Sequence, residues 1–245
     1  MSFEDHFSGH APEYAKQRPT YPGELFAYLA DQSPSTECAW DCATGSGQAA
    51  VALAEFYNAV IATDASAEQV KNASPHPKVN YRVAPAEKSG IPSASCDLVT
   101  VAQALHWFDF DRFNEECFRV LRPGGVVAAW SYGLARVSSR IDEIINDFYA
   151  GGIDPFWPEG RHYVENQYRD IPFPFAKITP PDFEMTLRWS ADQTLAYLRT
   201  WSAVQRFKNQ HDRDPVDRIA ETLRTEWGPG DRTVTWPLTL LIGRV

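Results

Sequence analysis

Short apolar runs and amphipathic stretches alternate along residues 36–130. This alternation is typical of a parallel β-sheet whose strands are joined by crossover helices. The apolar runs predict strands at residues 37–41, 59–64, 79–84, 97–102 and 126–130. Between them we expect a helix from residue 48 to about residue 58 and a second helix that opens at a Ser66-x-x-Gln69 capping box. A third helix is predicted to place these residues on one face: Phe110, Phe113, Cys117, Val120 and Leu121.

The pattern becomes less regular after residue 130. An irregular stretch over residues 151–181 is rich in aromatic residues and proline, and side chains then alternate from Phe183 to Trp189 as in a half-buried strand. Ahead of that stretch, one more amphipathic helix is predicted by the spacing of Ile141, Ile144, Ile145 and Phe148.

Two helices and a strand are predicted to complete the chain. The first helix follows a capping box at Ser190, and the second has Asp214 as N-cap and Pro215 at its first position. The inward face of the second helix is predicted to carry Val216, Ile219, Leu223 and Trp227. The last strand covers residues 233–242, and we expect it to start late or to bulge at Pro237, which cannot donate a ladder hydrogen bond.

The length and charge of the chain limit the possible functions. With 245 residues, 44% of them apolar, one large domain is favoured. The net charge of -9 and the lack of a Lys/Arg run argue against binding to nucleic acid or anionic membranes. We find neither a signal-like apolar core nor the roughly 20 apolar residues that span a bilayer. The sequence therefore predicts a soluble, cytoplasmic protein that binds no membrane.

The four cysteines, Cys38, Cys42, Cys96 and Cys117, form no C-x-x-C pair. We therefore expect no structural metal, and we interpret the cysteines near strands as small buried apolar residues.

The loop after the first strand, residues 41–47, contains Gly45 and Gly47. Such a loop brings backbone N–H groups close to a ligand, and its loose G-x-G-x-x-A pattern fits a nicotinamide dinucleotide as well as S-adenosylmethionine. Asp41 favours the second ligand. A carboxylate about 4 Å away repels a pyrophosphate by roughly 4 kcal/mol at an effective dielectric near 20, and attracts an ammonium by a similar amount.

Further candidates follow the later strands, where ligands bind in open α/β sheets. Asp64 ends the second strand, where a carboxylate accepts ribose hydroxyls or, alternatively, caps the next helix. Ala86 and Glu87 follow the third strand, beside an expected adenine. His106 follows the fourth strand and is a candidate general base or donor to an anionic substrate, with a packed or helix-capping histidine as the alternative.

Six segments of the chain carry motifs in a family-specific order. They are residues 7–22, with Tyr-Ala-x-x-Arg-Pro-x-Tyr-Pro, 40–47, 64, 86–87, 105–109 and 119–125. This set resembles the class I S-adenosylmethionine-dependent methyltransferases, and more closely the small-molecule type 11 group with its trans-aconitate methyltransferase-like proteins. The resemblance implies a Rossmann-like, doubly wound, seven-stranded α/β sheet of order 3-2-1-4-5-7-6 with the last strand antiparallel.

The resemblance also implies a domain plan and a set of site residues. Residues 1–30 would form a helical cap over the active site, and residues 31–245 a methyltransferase domain with a substrate-covering insertion at about 135–181. The cofactor residues would be Arg18, Asp41, Ala43, Thr44, Gly45, Gly47, Asp64, Ala65, Ala86, Glu87 and Gln103. The acceptor residues would be Tyr14, Tyr21, His106, Trp107, Arg161 and Tyr163, and further pocket candidates are Trp157, His162, Asn166 and Tyr168.

One position departs from the family. Ala43 replaces the first glycine of the loop, so a positive φ there would carry a cost that glycine avoids.

The implied reaction is methyl transfer to a small molecule. A carboxylate acceptor needs no base, only donors such as Arg18, His106 or Arg161, whereas a phenol, an amine or an acidic carbon would be helped by a base such as His106. A non-catalytic cofactor-binding protein and a nicotinamide-dependent oxidoreductase are the alternatives.

Overall fold

The structure is a computed structural model that describes residues 19–245. The strands in this part are β1 (Cys38–Cys42), β2 (Ala59–Asp64), β3 (Val79–Val83), β4 (Cys96–Ala102), β5 (Leu121–Tyr132), β6 (Ala176–Lys177), β7 (Phe183–Trp189) and β8 (Arg232–Arg244). The α-helices are α1 (Gly23–Gln32), α2 (Gln48–Leu53), α3 (Ala67–Asn72), α4 (Phe110–Val120), α5 (Ser139–Asp147), α6 (Arg161–Glu165), α7 (Ala191–Arg199), α8 (Ser202–His211) and α9 (Asp217–Trp227). Short 3-10 or π turns lie at Leu105–Trp107, Phe148–Gly152 and Asp154–Phe156. Within residues 19–245, no helix combines the length and the apolar character needed to cross a membrane.

The strands form one sheet in the order β3-β2-β1-β4-β5-β8. Strands β1 to β5 are parallel, and β8 runs antiparallel to β5. The outer edge of β8 pairs with both β6 and β7, so these two strands share the seventh and outermost position of the predicted order. The predicted topology is therefore confirmed, with this outermost position divided between two strands. β5 begins at Leu121 rather than near residue 126, because Leu121 pairs with Cys96.

Helices cover both faces of the sheet. On one face, Leu25, Phe26 and Leu29 of α1 pack with Leu53 of α2 and with Trp130. On the other face, the predicted apolar side of α4 is buried against β1, β4 and β5. A third apolar cluster joins α5, α7, α8 and α9 to β7 and β8. Burial of these apolar faces fixes the sheet and thereby the edge where its parallel strands end.

Several predicted boundaries differ from the structure. Helix α2 ends at Leu53 and continues only as turns. The helix expected after Ser190 has the predicted capping box but is interrupted at Trp201, whose extended backbone separates α7 from α8.

Asp214 was predicted as the N-cap of the last helix, and this is wrong. The helix starts at Asp217 with Val216 as N-cap. Asp214 instead accepts a hydrogen bond from the Val216 N–H at 3.0 Å and an ion pair from Arg199 at 2.6 Å.

Pro237 neither delays nor bulges the last strand, contrary to our expectation. It pairs in register with Glu184 of β7. The N–H of Thr235, two residues earlier, points toward the opposite side and donates to the Arg136 carbonyl, and the pairing with β5 begins only at Leu238. Alternate backbone nitrogens of a strand point to the same neighbouring strand, so the Pro237 nitrogen points to the same side as the Thr235 N–H. On that side it lies between the hydrogen bond of Thr235 and the first β5 pair at Leu238, where no N–H donor is needed.

Candidate active site

The loop between β1 and α2 has an alternating left-handed backbone. Ala43, Gly45 and Gly47 have φ values of 55°, 55° and 85°. A Cβ on Gly47 would lie 2.2 Å from the Tyr81 hydroxyl oxygen, so packing requires glycine there. A Cβ on Gly45 would meet no atom within 4 Å, so the loop leaves open space beside this residue. The backbone therefore has the open space beside Gly45 that the predicted close approach to a ligand requires.

Ala43 adopts the positive φ that the sequence identified as costly. A left-handed L-residue costs about 1–2 kcal/mol, which glycine avoids. The neighbouring residue is anchored to β2, because the Thr44 N–H donates to the Thr63 carbonyl at 2.9 Å. Strand packing and this hydrogen bond therefore hold a strained loop.

Asp41 lies at the base of the loop and is only 1% exposed. Its carboxylate accepts hydrogen bonds from the Thr44 hydroxyl at 2.6 Å and from the Thr100 hydroxyl of β4 at 2.8 Å. Burial, with a smaller contribution from the nearby charge of Asp64, raises the pKa of Asp41 to about 6 against the lowering effect of the two hydroxyls. Within residues 19–245, no Lys or Arg forms an ion pair with Asp41.

Asp64 ties the loop to the next helix. Its two carboxylate oxygens accept from the Gly45 N–H and the Ser66 N–H, each at 2.9 Å. The N-cap of α3 is Ser66, which accepts from the Gln69 N–H at 3.3 Å as predicted. Ala65, the other predicted residue here, lies between them and is partly exposed. Two carboxylates therefore surround the loop, which favours a cationic ligand over a pyrophosphate.

The later predicted cofactor residues lie beyond β3 and β4. Ala86 is buried in the α4 side of the core, and a Glu87 carboxylate oxygen accepts from the Asp109 N–H at 3.2 Å. Gln103 follows β4 with a φ of 57°, and its side-chain amide donates to the Tyr132 carbonyl at 3.1 Å. This bond couples the end of β4 to the end of β5.

A cavity of about 90 Å³ opens beside Gln103, at the edge where β4 and β5 end. Among the described residues, Arg161 provides the positively charged side chain in the lining of this cavity. It forms no ion pair with any of those residues. Its guanidinium stacks 4.7 Å from the centre of the Trp157 ring and donates to the Tyr149 hydroxyl at 2.8 Å. The cavity is lined by Gln103, His106, Trp107, Tyr132, Gly133, Leu134, Trp157, Pro158, Arg161, Tyr197, Trp201 and Ser202.

His106 lines this cavity as a neutral imidazole. Burial and, to a smaller extent, the charge of Arg161 lower the pKa of His106 to about 3. Its Nδ1 lies 3.2 Å from the hydroxyl oxygen of buried Tyr168. A group with so low a pKa is a poor base near neutral pH, because general bases work best with a pKa close to the operating pH. The geometry therefore favours the hydrogen-bonding role predicted for His106 over the role of base.

The comparisons with known proteins agree on one family. A family model described as a methyltransferase domain matches residues 40–129. A protein of Dictyostelium discoideum described as a methyltransferase is 35% identical over 225 residues, covering 90% of this chain and 86% of the relative. A solved structure described as a type II methyltransferase from Anaeromyxobacter dehalogenans is 45% identical, with a TM-score of 0.87, and the match covers 93% of this chain and 97% of that one.

The chain belongs to the class I S-adenosylmethionine-dependent methyltransferases.

The loop between β1 and α2 of the methyltransferase fits this cofactor by the position of its carboxylates. The sulfonium and ammonium groups of S-adenosylmethionine are cations, and the loop offers them two carboxylates, one of them buried without an ion pair inside residues 19–245. The nicotinamide alternative is wrong, because the buried Asp41 carboxylate would repel its pyrophosphate and the family model and the relatives are those of methyltransferases.

Only some of the residues predicted to bind the methyl acceptor line the cavity of the methyltransferase. His106, Trp107 and Arg161 line it, but Tyr163 packs against Phe110 with ring centres 5.3 Å apart. Tyr21 lies in a second cavity beside α2. Tyr14 and Arg18 lie outside the described residues.

The further candidates also divide. Trp157 lines the cavity and Tyr168 contacts His106, whereas His162 and Asn166 are exposed and bond to Glu159 and Asp170.

Sequence reasoning missed two groups of cavity residues in the methyltransferase. Tyr132 ends β5 and is followed by Gly133 and Leu134, and the rule that ligands bind where parallel strands end could have indicated all three. Tyr197 and Trp201 come from α7 and the α7–α8 junction. Their helical spacing is also that of ordinary core residues, so the sequence offered no distinguishing signal.

Proposed function

We propose that this methyltransferase transfers a methyl group to an oxygen of a small anionic molecule, with a carboxylate as the preferred acceptor. The observation that carries the proposal is the pairing of Arg161 with a weakly basic His106 in one cavity. A carboxylate is already ionised at neutral pH and needs no base. Proton transfer from a phenol of pKa near 10 to an imidazole of pKa about 3 would instead cost roughly 9 kcal/mol.

The side chains then act mainly by positioning. The Arg161 guanidinium attracts the anionic end of the acceptor, and Trp157 and Tyr149 fix the guanidinium plane. In the tautomer whose Nδ1 accepts from the Tyr168 hydroxyl, neutral His106 carries its one N–H on Nε2 and offers it to an oxygen of the methyl acceptor. The aromatic side chains Trp107, Trp157 and Trp201 exclude water, and we propose that residues 135–181 provide much of this cover, with residues 1–30 as a cap. Positioning of this kind contributes roughly 7–11 kcal/mol to favourable bimolecular reactions.

Bound S-adenosylmethionine supplies an activated methyl group on a sulfonium centre. We infer that the residues predicted for it hold it along the edge from β2 to β4. The Asp41 carboxylate attracts the ammonium of the methionine part, and the Asp64 carboxylate accepts hydrogen bonds from the ribose hydroxyls. Ala86 and Glu87 flank the adenine. Ala65 and Gln103 line the path between them, and Arg18 is retained as a predicted contact outside the described residues.

Labelled cofactor and a panel of carboxylates, phenols and amines test the proposal. We expect carboxylates to be methylated most efficiently. For the best acceptor, Arg161→Gln should lower kcat/KM by about 10- to 100-fold, because a charge-assisted hydrogen bond contributes roughly 1.5–3 kcal/mol. Arg169→Gln is the matched control, since Arg169 is exposed and its side chain bonds only to Gln167 among the described residues. A preference for phenols or amines, or equal effects of the two substitutions, would contradict the proposal.

A further inference from the structure

We propose that Cys38 and Cys96 form a site of reversible oxidation, at which a peroxide converts the two thiols into an intramolecular disulfide. The site lies at the edge of the sheet opposite the loop and the cavity. Cys38 is the first residue of β1, and Cys96 is the first residue of the neighbouring strand β4.

The two thiols are close neighbours in space. Their sulfur atoms lie 3.9 Å apart and share a weak hydrogen bond. A disulfide has an S–S length of about 2.05 Å, so the sulfur atoms must approach by roughly 2 Å. Both thiols belong to the same side of the core, so torsions of the two side chains bring the sulfur atoms toward each other.

Charge favours Cys38 as the attacking thiol. The hydrogen bond from the Cys96 thiol lowers the pKa of Cys38, and the positive charges of Arg122 and Arg82 lower it further, against the opposing effects of burial and Asp97. The thiolate is the nucleophilic form of cysteine, so this environment activates Cys38 toward a peroxide.

Exposure separates Cys38 from the other three cysteines. Cys38 is partly exposed, whereas Cys42, Cys96 and Cys117 are buried. Burial raises the pKa of both Cys42 and Cys117, which keeps them protonated. The expectation that the strand cysteines are all inert buried residues is therefore revised for Cys38, and Cys42 and Cys117 serve as internal controls.

The chemistry balances with hydrogen peroxide as the oxidant. The Cys38 thiolate attacks one peroxide oxygen, an S–O bond forms, the O–O bond breaks, and the departing hydroxide becomes water with the proton that Cys38 released. The Cys96 sulfur then attacks the Cys38 sulfenic acid, the S–O bond breaks, and the Cys96 proton leaves with the hydroxyl as a second water. Two thiols lose two electrons, and one peroxide gains them.

Peptide mapping of the full chain after treatment with hydrogen peroxide tests the proposal. We expect the intact mass to fall by about 2 Da, the two thiol hydrogens. The Cys38 and Cys96 peptides should be joined, and dithiothreitol should reverse both changes. In Cys96→Ala, Cys38 should accumulate as a sulfenic acid that dimedone traps, and a Cys42→Ser/Cys117→Ser variant should still form the link.

The wild-type result decides the matter even where a variant folds poorly. The proposal is overturned if folded wild-type protein keeps both thiols, if Cys38 proceeds to sulfinic acid without a link, or if the only disulfide joins two chains.

Discussion

Asp41 and Asp97 are both buried aspartates on the neighbouring strands β1 and β4, with exposures of 1% and 0%. Asp97 stands near the amino end of its strand, and Asp41 near the carboxyl end of its own. Asp97 has a full set of partners: it accepts from the Glu37 and Cys38 N–H groups and forms an ion pair with Arg122 at 2.7 Å. Asp41 accepts from two hydroxyl groups, and no Lys or Arg among residues 19–245 forms an ion pair with it.

We infer that the difference separates a structural charge from a ligand-binding one. A buried carboxylate with a paired cation is stable within its own fold, whereas a buried carboxylate without one is costly. The chain accepts that cost at the edge of the sheet where the loop lies. We infer that the missing cation of Asp41 belongs to the ligand, and the four predictions below test this contrast.

The largest effect is expected at Asp97. Asp97→Ala removes the acceptor of two backbone N–H groups and leaves Arg122 unpaired, so we expect a loss of about 3–5 kcal/mol of unfolding free energy. Urea unfolding measures this loss. Binding of S-adenosylhomocysteine by the remaining folded protein should be unchanged, and a large loss of affinity without a loss of stability would contradict the structural role.

The opposite change of stability is expected at Asp41. Burial raises its pKa from 3.8 to about 6, so the folded state binds a proton more tightly than the unfolded state. Between these pH values stability falls as pH rises, and above pH 6 the full cost of about 3 kcal/mol is present. The stability of Asp41→Asn relative to wild type should therefore rise by about that amount from pH 4 to pH 7.

Unfolding of both proteins across this pH range provides the measurement. The exposed Asp111→Asn variant is the control and should follow wild type. A stability difference between Asp41→Asn and wild type that does not change with pH would show that the Asp41 charge carries no such cost.

The same Asp41→Asn substitution should weaken binding of the cofactor product. An ammonium about 6 Å from a carboxylate gains roughly 3 kcal/mol at an effective dielectric near 20, part of which solvent screens. We expect affinity for S-adenosylhomocysteine to fall about 10- to 100-fold by calorimetry. Unchanged affinity would mean that the ligand does not sense this charge.

The smallest effect is expected at two left-handed alanines. Ala43, beside Asp41, and Ala94, in the turn before β4, have φ values of 55° and 50°. Replacement of each by glycine relieves strain but loosens the unfolded chain, so the net gain should be about 1 kcal/mol or less. Thermal unfolding measures the gain, and only Ala43→Gly should also change affinity for S-adenosylhomocysteine. Equal effects of both variants on binding would argue against a special role of the loop.

Much of this contrast could be predicted from the sequence. The five parallel strands, the loop and the position of Asp41 follow from apolar periodicity and from the residues at strand ends. The sequence could not show that Thr44 and Thr100 enclose Asp41, because Thr100 lies on another strand and meets Asp41 only through the β1–β4 register.

The cavity proposed for the methyl acceptor was harder to predict from the sequence than the loop. Arg161 and His106 were identified by residue type, but their electrostatic coupling depends on how α6 packs against the turn after β4. Tyr163 has the same aromatic character as Trp157, yet only Trp157 reaches the cavity. Irregular segments carry no periodicity that fixes the direction of each side chain.

Proton release on binding of S-adenosylhomocysteine tests the central claim most directly. Calorimetry in buffers of different ionisation enthalpy gives the number of protons exchanged, with Asp41→Asn as the reference. If the ligand ammonium supplies the missing cation, it expels the proton that half of the Asp41 carboxyls hold near pH 6. We predict release of about half a proton at pH 6 and almost none at pH 8 in wild type, and no such difference in the variant. Equal proton exchange at both pH values in wild type, or the same release by Asp41→Asn, would contradict the account.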